Sequence, residues 1–179
     1  LGQVRQRQGD GAAAAELMFG KGAEHIDYLY LFLGSFIGGG LVLDGHLFPG
    51  RTQNAAAIGS MPAIGRAAGP KDGRAPQLAS IASIYVLERK LIENGRDASF
   101  LWRTPDEWPR DLGTALDEWI DDSAFALAHA IAAAIAVVDV QKVIIDGAFP
   151  SWLRTKIIAA TQQALARVNL FGLTHFTLS

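Results

Sequence analysis

Tyr28-Leu29-Tyr30-Leu31-Phe32-Leu33-Gly34-Ser35-Phe36-Ile37-Gly38-Gly39-Gly40-Leu41-Val42-Leu43-Asp44-Gly45 is the stretch on which the fold of this chain turns. A short apolar run bounded by turn residues reads as a buried strand. That predicts one strand over Tyr28–Leu33 and a second over Gly38–Leu43. Asp44-Gly45 is a two-residue hairpin signal, and His46–Phe48 begins a third strand, so residues 27 to 50 read as a β-meander. A glycine-rich turn such as Gly34 to Gly40 lets backbone N–H groups approach an anion closely. The benzyl group of Phe36 obstructs that approach unless it turns into the core, as aromatics flanked by strands usually do.

Working outward, residues 51 to 75 are rich in Gly, Ala and Pro and read as a loop with a short strand near Ala57–Met61. Pro76 can open a helix. Leu78, Ile81, Ile84, Leu87 and Leu91 then mark one face, with Glu88, Lys90 and Glu93 mostly outside it, and Asn94-Gly95 ends it. Residues 96 to 112, with two prolines and two tryptophans, read as an irregular connection. A long helix is predicted from about Thr114 to Val138. Its acidic start, Asp117, Glu118, Asp121 and Asp122, suits the positive end of the helix dipole. Val143-Ile144-Ile145 is a short buried strand closed by Asp146-Gly147. Trp152 to Val168 is a helix, and Leu173 to Leu178 a final strand. On the N-terminal side, residues 11 to 18 read as a short helix with Asp10 at its start and Gly20 and Gly22 after its end. The order α, βββ, α, α, β, α, β is that of a mixed α/β domain, a sheet flanked by helices.

Composition narrows the function. The chain has 179 residues, half of them hydrophobic, enough for one substantial core. Its net charge is −2 and its Lys and Arg are scattered, which argues against direct nucleic-acid binding by this segment. It has no cysteine, so disulfides, thiolate catalysis and zinc–thiolate sites are excluded. No signal peptide is visible. The most apolar stretch, Ala124 to Val138, is too short to span a bilayer, so no membrane association and a cytoplasmic location are expected. The chain starts at Leu1 without a leader and reads as a piece of a longer protein.

Several motifs together resemble the ROK family of bacterial sugar kinases and sugar-responsive transcriptional repressors. They are Asp10-Gly11-Ala12-Ala13-Ala14-Ala15-Glu16, the glycine turn, Leu41-Val42-Leu43-Asp44-Gly45, Ile58-Gly59 and Val143-Ile144-Ile145-Asp146-Gly147. The resemblance implies a ribonuclease H-like, actin-like ATPase fold of two lobes, with sugar and ATP between them. Residues 1–179 would form mainly the C-terminal lobe. An N-terminal lobe, preceded in repressors by a helix-turn-helix domain, would come before Leu1, and a final helix would follow Ser179. Asp10 matches the aspartate that takes the proton from the sugar hydroxyl in kinase members, but Gly9 stands where the family has asparagine. Gly34, Ser35, Gly38, Gly39 and Gly40 match the second phosphate loop, with Phe36 in place of a glycine. Ala57-Ile58-Gly59-Ser60 matches a Glu-Ile-Gly-His motif whose glutamate binds sugar and whose histidine helps bind zinc. Pro76-Gln77-Leu78-Ala79 matches Gly-Cys-Leu-Glu at the end of a cysteine-rich zinc loop, with Ala79 in place of a second sugar-binding glutamate. Gly147 matches a glycine near the adenine, and Asp146 replaces its glycine neighbour.

The resemblance therefore implies a sugar or sugar derivative as ligand, no zinc, ATP and Mg²⁺ only in a working kinase, and a homodimer. Losing both acidic sugar contacts removes charge-assisted bonds worth ~1.5–3 kcal/mol each. Gln53, Asn54 and Ser60 are the polar residues left in the segment that lines the family's sugar pocket. The expected function is a sugar-sensing, kinase-like lobe of a transcriptional regulator without kinase activity. The alternatives are an atypical ATP-dependent sugar kinase with Asp10 as base, and a ligand-free lobe kept for dimer contacts. Plainer readings stand beside these. Asp10 is also a good helix N-cap. The glycine turn is neither a Walker loop nor a dinucleotide fingerprint and reads equally as a tight hairpin. His25, His46, His129 and His175 have no metal-ligand spacing. Trp102 and Trp108 read as packing in a long loop, and the acidic cluster at Asp117 to Asp122 as a solvated helix face.

Overall fold

The computed structural model describes residues 27–66 and 74–179. Asp10, Gly9, His25 and the helix expected over 11–18 lie outside the described residues. Among those described, five strands form one sheet: β1 (Tyr28–Leu33), β2 (Ile37–Leu43), β3 (His46–Leu47), β4 (Lys142–Gly147) and β5 (Thr177–Leu178). Their order is β3-β2-β1-β4-β5. β2 is antiparallel to β1 and β3, whereas β4 is parallel to β1 and β5 to β4. The meander needs only tight turns, but parallel pairing of β1 with β4 needs a long crossover. That crossover carries α1 (Ala79–Ala82), α2 (Ile84–Glu93), α3 (Phe100–Arg103) and α4 (Thr114–Ile135), while α5 (Ser151–Leu165) links β4 to β5. This is the mixed sheet flanked by helices expected of the ribonuclease H-like, actin-like lobe.

β1 reads as a continuous apolar run because both of its faces are buried. Leu29, Leu31 and Leu33 point with Val143 and Ile145 into the main core, against Leu87, Leu91, Trp119, Leu127, Ile131 and Leu153. Tyr28, Tyr30, Val42 and Ile144 form a smaller cluster on the other face. The alanines of α4 keep its girth small, so Ala124, Ala126, Ala128 and Ala130 are all buried. Among the described residues no helix is long and apolar enough to cross a membrane.

The structure corrects several sequence expectations. The helix predicted from Pro76 to Glu93 is two helices broken at Ser83, whose backbone is extended at φ −73 and ψ 154. The break is held from both sides: Trp119 Nε1 donates to the Ser83 carbonyl at 3.1 Å, and the Ile84 N–H donates to the Gly34 carbonyl at 2.8 Å. Apolar spacing could not reveal it, because Leu78 before the break and Ile84, Leu87 and Leu91 after it are all buried. Pro76 does not open a helix. Its carbonyl accepts the Ala63 N–H at 2.7 Å, and Leu78 N–H bonds Met61. The strand expected at Ala57–Met61 is a 3₁₀ turn over Ile58–Ser60. Residues 96–112 contain one helical stretch, α3, and the final strand shortens to Thr177–Leu178. The acidic cluster on α4 is not merely solvated. Glu118 and Asp122 meet Lys90 of α2 at 3.1 and 3.8 Å, and Asp121 meets Arg66 at 3.0 Å. Such exposed pairs contribute about 0–1 kcal/mol each.

Candidate functional site

The turn proper is only Gly34-Ser35-Phe36, because Leu33 still pairs with Ile37. Gly34 N–H donates to the Phe36 carbonyl at 2.9 Å, closing the turn on itself. Its own carbonyl is taken by Ile84 N–H. Ser35 is exposed, and Phe36 is 40% exposed, so of the two directions open to it the ring takes the one that leaves it at the turn and not in the core. None of residues 34–40 has a positive φ. An anion nest built on an αR–αL pair needs one such residue.

Gly38, Gly39 and Gly40 are therefore strand residues, paired with Phe32, Leu31 and Tyr30. Close approach explains Gly39. A Cβ there would lie 2.5 Å from the Ala56 carbonyl oxygen and 3.0 Å from Ile58 Cγ2. Gly59 is the reciprocal case, since its Cβ would lie 2.2 Å from the Ile37 carbonyl oxygen. The two glycines let residues 56–59 run along β2 at backbone contact. Two strand residues separate the contacts, roughly 7 Å.

That docking places the remaining polar candidates. Gln53 and Asn54 precede Ala56, and Ser60 follows Gly59; all three are exposed. Gln53 and Ala56 are held at φ 57 and 54, the left-handed region. For non-glycine residues this costs roughly 1–2 kcal/mol, offset here by the packing of 56–59 on β2. Ser60 lies toward the Gly34–Phe36 end of β2, and Gln53 and Asn54 lie on the far side of Ala56, so the three do not form one compact cluster.

At the end of β4, Gly147 is closely covered. A Cβ there would lie 2.1 Å from Phe149 Cε1 and 2.5 Å from the Leu33 carbonyl oxygen. Phe149 is buried and meets Trp108 edge-on at 6.3 Å, and Trp108 in turn meets Phe100 at 6.1 Å. Trp108 is thus core packing, as read from the sequence, whereas Trp102 is partly exposed and donates its Nε1 to Glu88 at 2.6 Å.

Asp146 is the polar centre that sequence reasoning missed. Its carboxylate accepts the Tyr30 hydroxyl at 2.9 Å and the Gly147 N–H at 2.8 Å, and pairs with Arg154. Parallel pairing of β1 with β4 brings Tyr30 within reach, and Arg154 comes from the first turn of α5. Only the non-local strand pairing makes the trio visible. Replacing Asp146 by alanine is expected to cost about 2 kcal/mol, more than replacing Arg154, which leaves two of the three contacts standing. Urea denaturation of the two variants checks the order.

Among the described residues no group of three or more His, Asp or Glu could hold a metal ion. His46 Nδ1 lies 2.7 Å from its neighbour Asp44's carbonyl oxygen and His129 Nδ1 lies 2.8 Å from that of Phe125, so both rings are held locally.

Solved structures share this architecture. A ROK hexokinase from Thermus thermophilus matches with a TM-score of 0.66 and 19% identity, over 95% of this chain and 56% of that one. A ROK family transcriptional regulator, a homologue of the E. coli MLC protein, matches at 0.67 and 20% identity, over 89% of this chain and 42% of that one. A ROK family protein from Streptococcus pneumoniae, in complex with sucrose, matches at 0.71 and 16% identity, over 96% of this chain and 57% of that one. The chain thus spans about half the length of each. At these identities the likeness shows the fold alone. No curated protein matches the chain. The model of the ROK family, however, matches residues 6–169, nearly the whole sequence, and with the motifs and sheet order in agreement this chain belongs to the ROK family.

Proposed function

We propose that this chain is the C-terminal, ligand-sensing lobe of a ROK-type regulator that binds a sugar or sugar derivative and does not transfer phosphate. The observation that carries the reading is the turn at Gly34–Phe36. Its first N–H is spent on its own carbonyl, it has no left-handed residue, and it exposes an aromatic ring where the family pattern has glycine. Phe149 lying against Gly147 adds support, since it occupies the space beside the position matching the family's adenine contact. We read these residues as a poor fit for ATP and Mg²⁺, and no reaction step is routed through them. The segment matching the sugar-binding and zinc motifs carries Ala57, Ser60 and Ala79, which agrees with a ligand held by neutral groups; Ser60, the polar candidate on the turn's side of that segment, would meet it together with Asp10, while Gln53 and Asn54 stand apart from Ser60.

A sensor needs only a difference in ligand affinity between two arrangements of its lobes. The ligand shifts their populations, and an associated DNA-binding domain responds; this chain would not touch DNA or membrane itself. The second reading, an atypical sugar kinase, is favoured by Asp10, which matches the family's base. Isothermal titration of the full-length gene product with a panel of sugars, alongside a coupled assay for ADP release, separates the two. Binding without ADP release is the expected outcome. Turnover that is lost in Asp10→Asn would overturn the sensor reading. A sedimentation measurement on the same protein tests the expected dimer.

A further inference from the structure

Beyond the turn and its polar neighbours, the described residues enclose a cavity of about 290 Å³ at the opposite end of the sheet. Its walls are the start of β1 and the later part of β2, through Leu29 and Leu41, the strained segment at Ala56 and Ala57, and the end of α4 with the residues after it, through Ala134 and Val138. Among the described residues all twelve that line it are apolar, and four are alanines. Leu29 stands four residues before Leu33, so the cavity lies roughly 13 Å along β1 from the glycine turn. Ala57 and Ile58, in the segment that matches the sugar motif, line it, but Gln53, Asn54 and Ser60, the polar candidates for the sugar, do not.

We propose that this cavity is a binding site for a small uncharged apolar molecule, of the size of a short alkylbenzene. Three observations commit it to that occupant. Among the described residues none that lines it carries a polar side chain, so a sugar or an anion entering it would give up its hydrogen bonds to water without replacement there. About 150 Å³ already accommodates benzene, so this cavity has room for roughly twice that. The space is kept open by alanines at positions where leucine would fill it, and one of them, Ala56, is held at φ 54, a conformation alanine avoids. Val137, 86% exposed and itself lining the cavity, stands at the mouth. The occupant would press on residues 56–58, whose other side lies on Gly39, so its binding is expected to be felt along β2.

The test titrates n-butylbenzene into the 179-residue chain, with glucose at equal concentration as the control. Saturable binding should raise Tm by roughly 3–6 °C for each tenfold of free probe above Kd. Amide chemical-shift changes should fall on Ala56–Met61 and 133–140. Ala134→Leu and Ala57→Leu, which fill the space from opposite walls, should each abolish the shift in Tm while keeping the far-ultraviolet spectrum of the parent. No shift in the parent chain, amide changes confined elsewhere, or an undiminished shift in a folded filled variant overturns the proposal. Glucose binding at the polar site would move Ser60 but not 133–140, so an equal response of 133–140 to glucose also overturns the proposal.

Discussion

Replacing Gly59 by alanine is expected to destabilise the chain by about 3 kcal/mol and to lower Tm by roughly 6–12 °C. The added Cβ would lie 2.2 Å from the Ile37 carbonyl oxygen and 3.1 Å from the Ile37 carbonyl carbon. Both are backbone atoms of a sheet strand, so no side chain can swing aside to make room. The effect is steric and not conformational, because Gly59 is absent from the residues with positive φ. Gly45 supplies the contrast. It sits at φ 72 with nothing within 4 Å of a built Cβ, so alanine there costs only the backbone strain, about 1–2 kcal/mol. Thermal denaturation of Gly59→Ala, Gly45→Ala and the parent measures both numbers in one experiment. A loss at Gly59 no larger than that at Gly45 would show that residues 56–59 do not rest on β2 at backbone contact. The same substitution should weaken any ligand that Ser60 holds, since Ser60 follows directly.

Trp119→Ala is expected to cost about 4 kcal/mol, and Trp119→Phe about 1–2 kcal/mol. Trp119 is fully buried and among the largest side chains in the core. The alanine variant leaves a void that the surrounding helices and sheet cannot close completely, which is why the larger figure applies. The phenylalanine variant keeps most of the volume but leaves the Ser83 carbonyl without its indole donor. That carbonyl stands at the break between α1 and α2, one residue before the N–H that holds Gly34. The phenylalanine variant therefore tests more than stability: faster amide exchange at Ile84 is expected if the break depends on the indole. Urea unfolding gives the free energies, and hydrogen exchange gives the local effect. Equal losses for alanine and phenylalanine would place the whole contribution of Trp119 in its hydrogen bond.

The site was legible in part. The turn, its phenylalanine and the drift at Ala57, Ser60 and Ala79 stand in the linear sequence. The direction of Phe36 was left open by the sequence. Aromatics beside strands usually pack inward, but the positions inside this sheet end are already filled by Leu33, Ile37 and Ile84, all buried. The Asp146, Tyr30 and Arg154 trio was invisible for a different reason: its members are 116 residues apart across β1 and β4 and then eight residues on, in a helix. The acidic face of α4 looked solvated because Lys90 and Arg66, which meet it, belong to other segments.

By itself the sequence determined the meander, the buried strand at Val143 to Ile145, the long alanine-rich helix and the family, because strand runs, turn dipeptides and helix periodicity are local signals. Tertiary structure alone decided three things. It broke the helix at Ser83, it turned Ala57–Met61 from a strand into a 3₁₀ turn pressed on β2, and it set Gly39, Gly59 and Gly147 at points of close approach. In each case the deciding partner, Trp119, Ile37, Ala56 or Leu33, lies far away in the chain. Where a neighbour's backbone stands within 3 Å of a missing side chain is a property of packing, and no local pattern carries it.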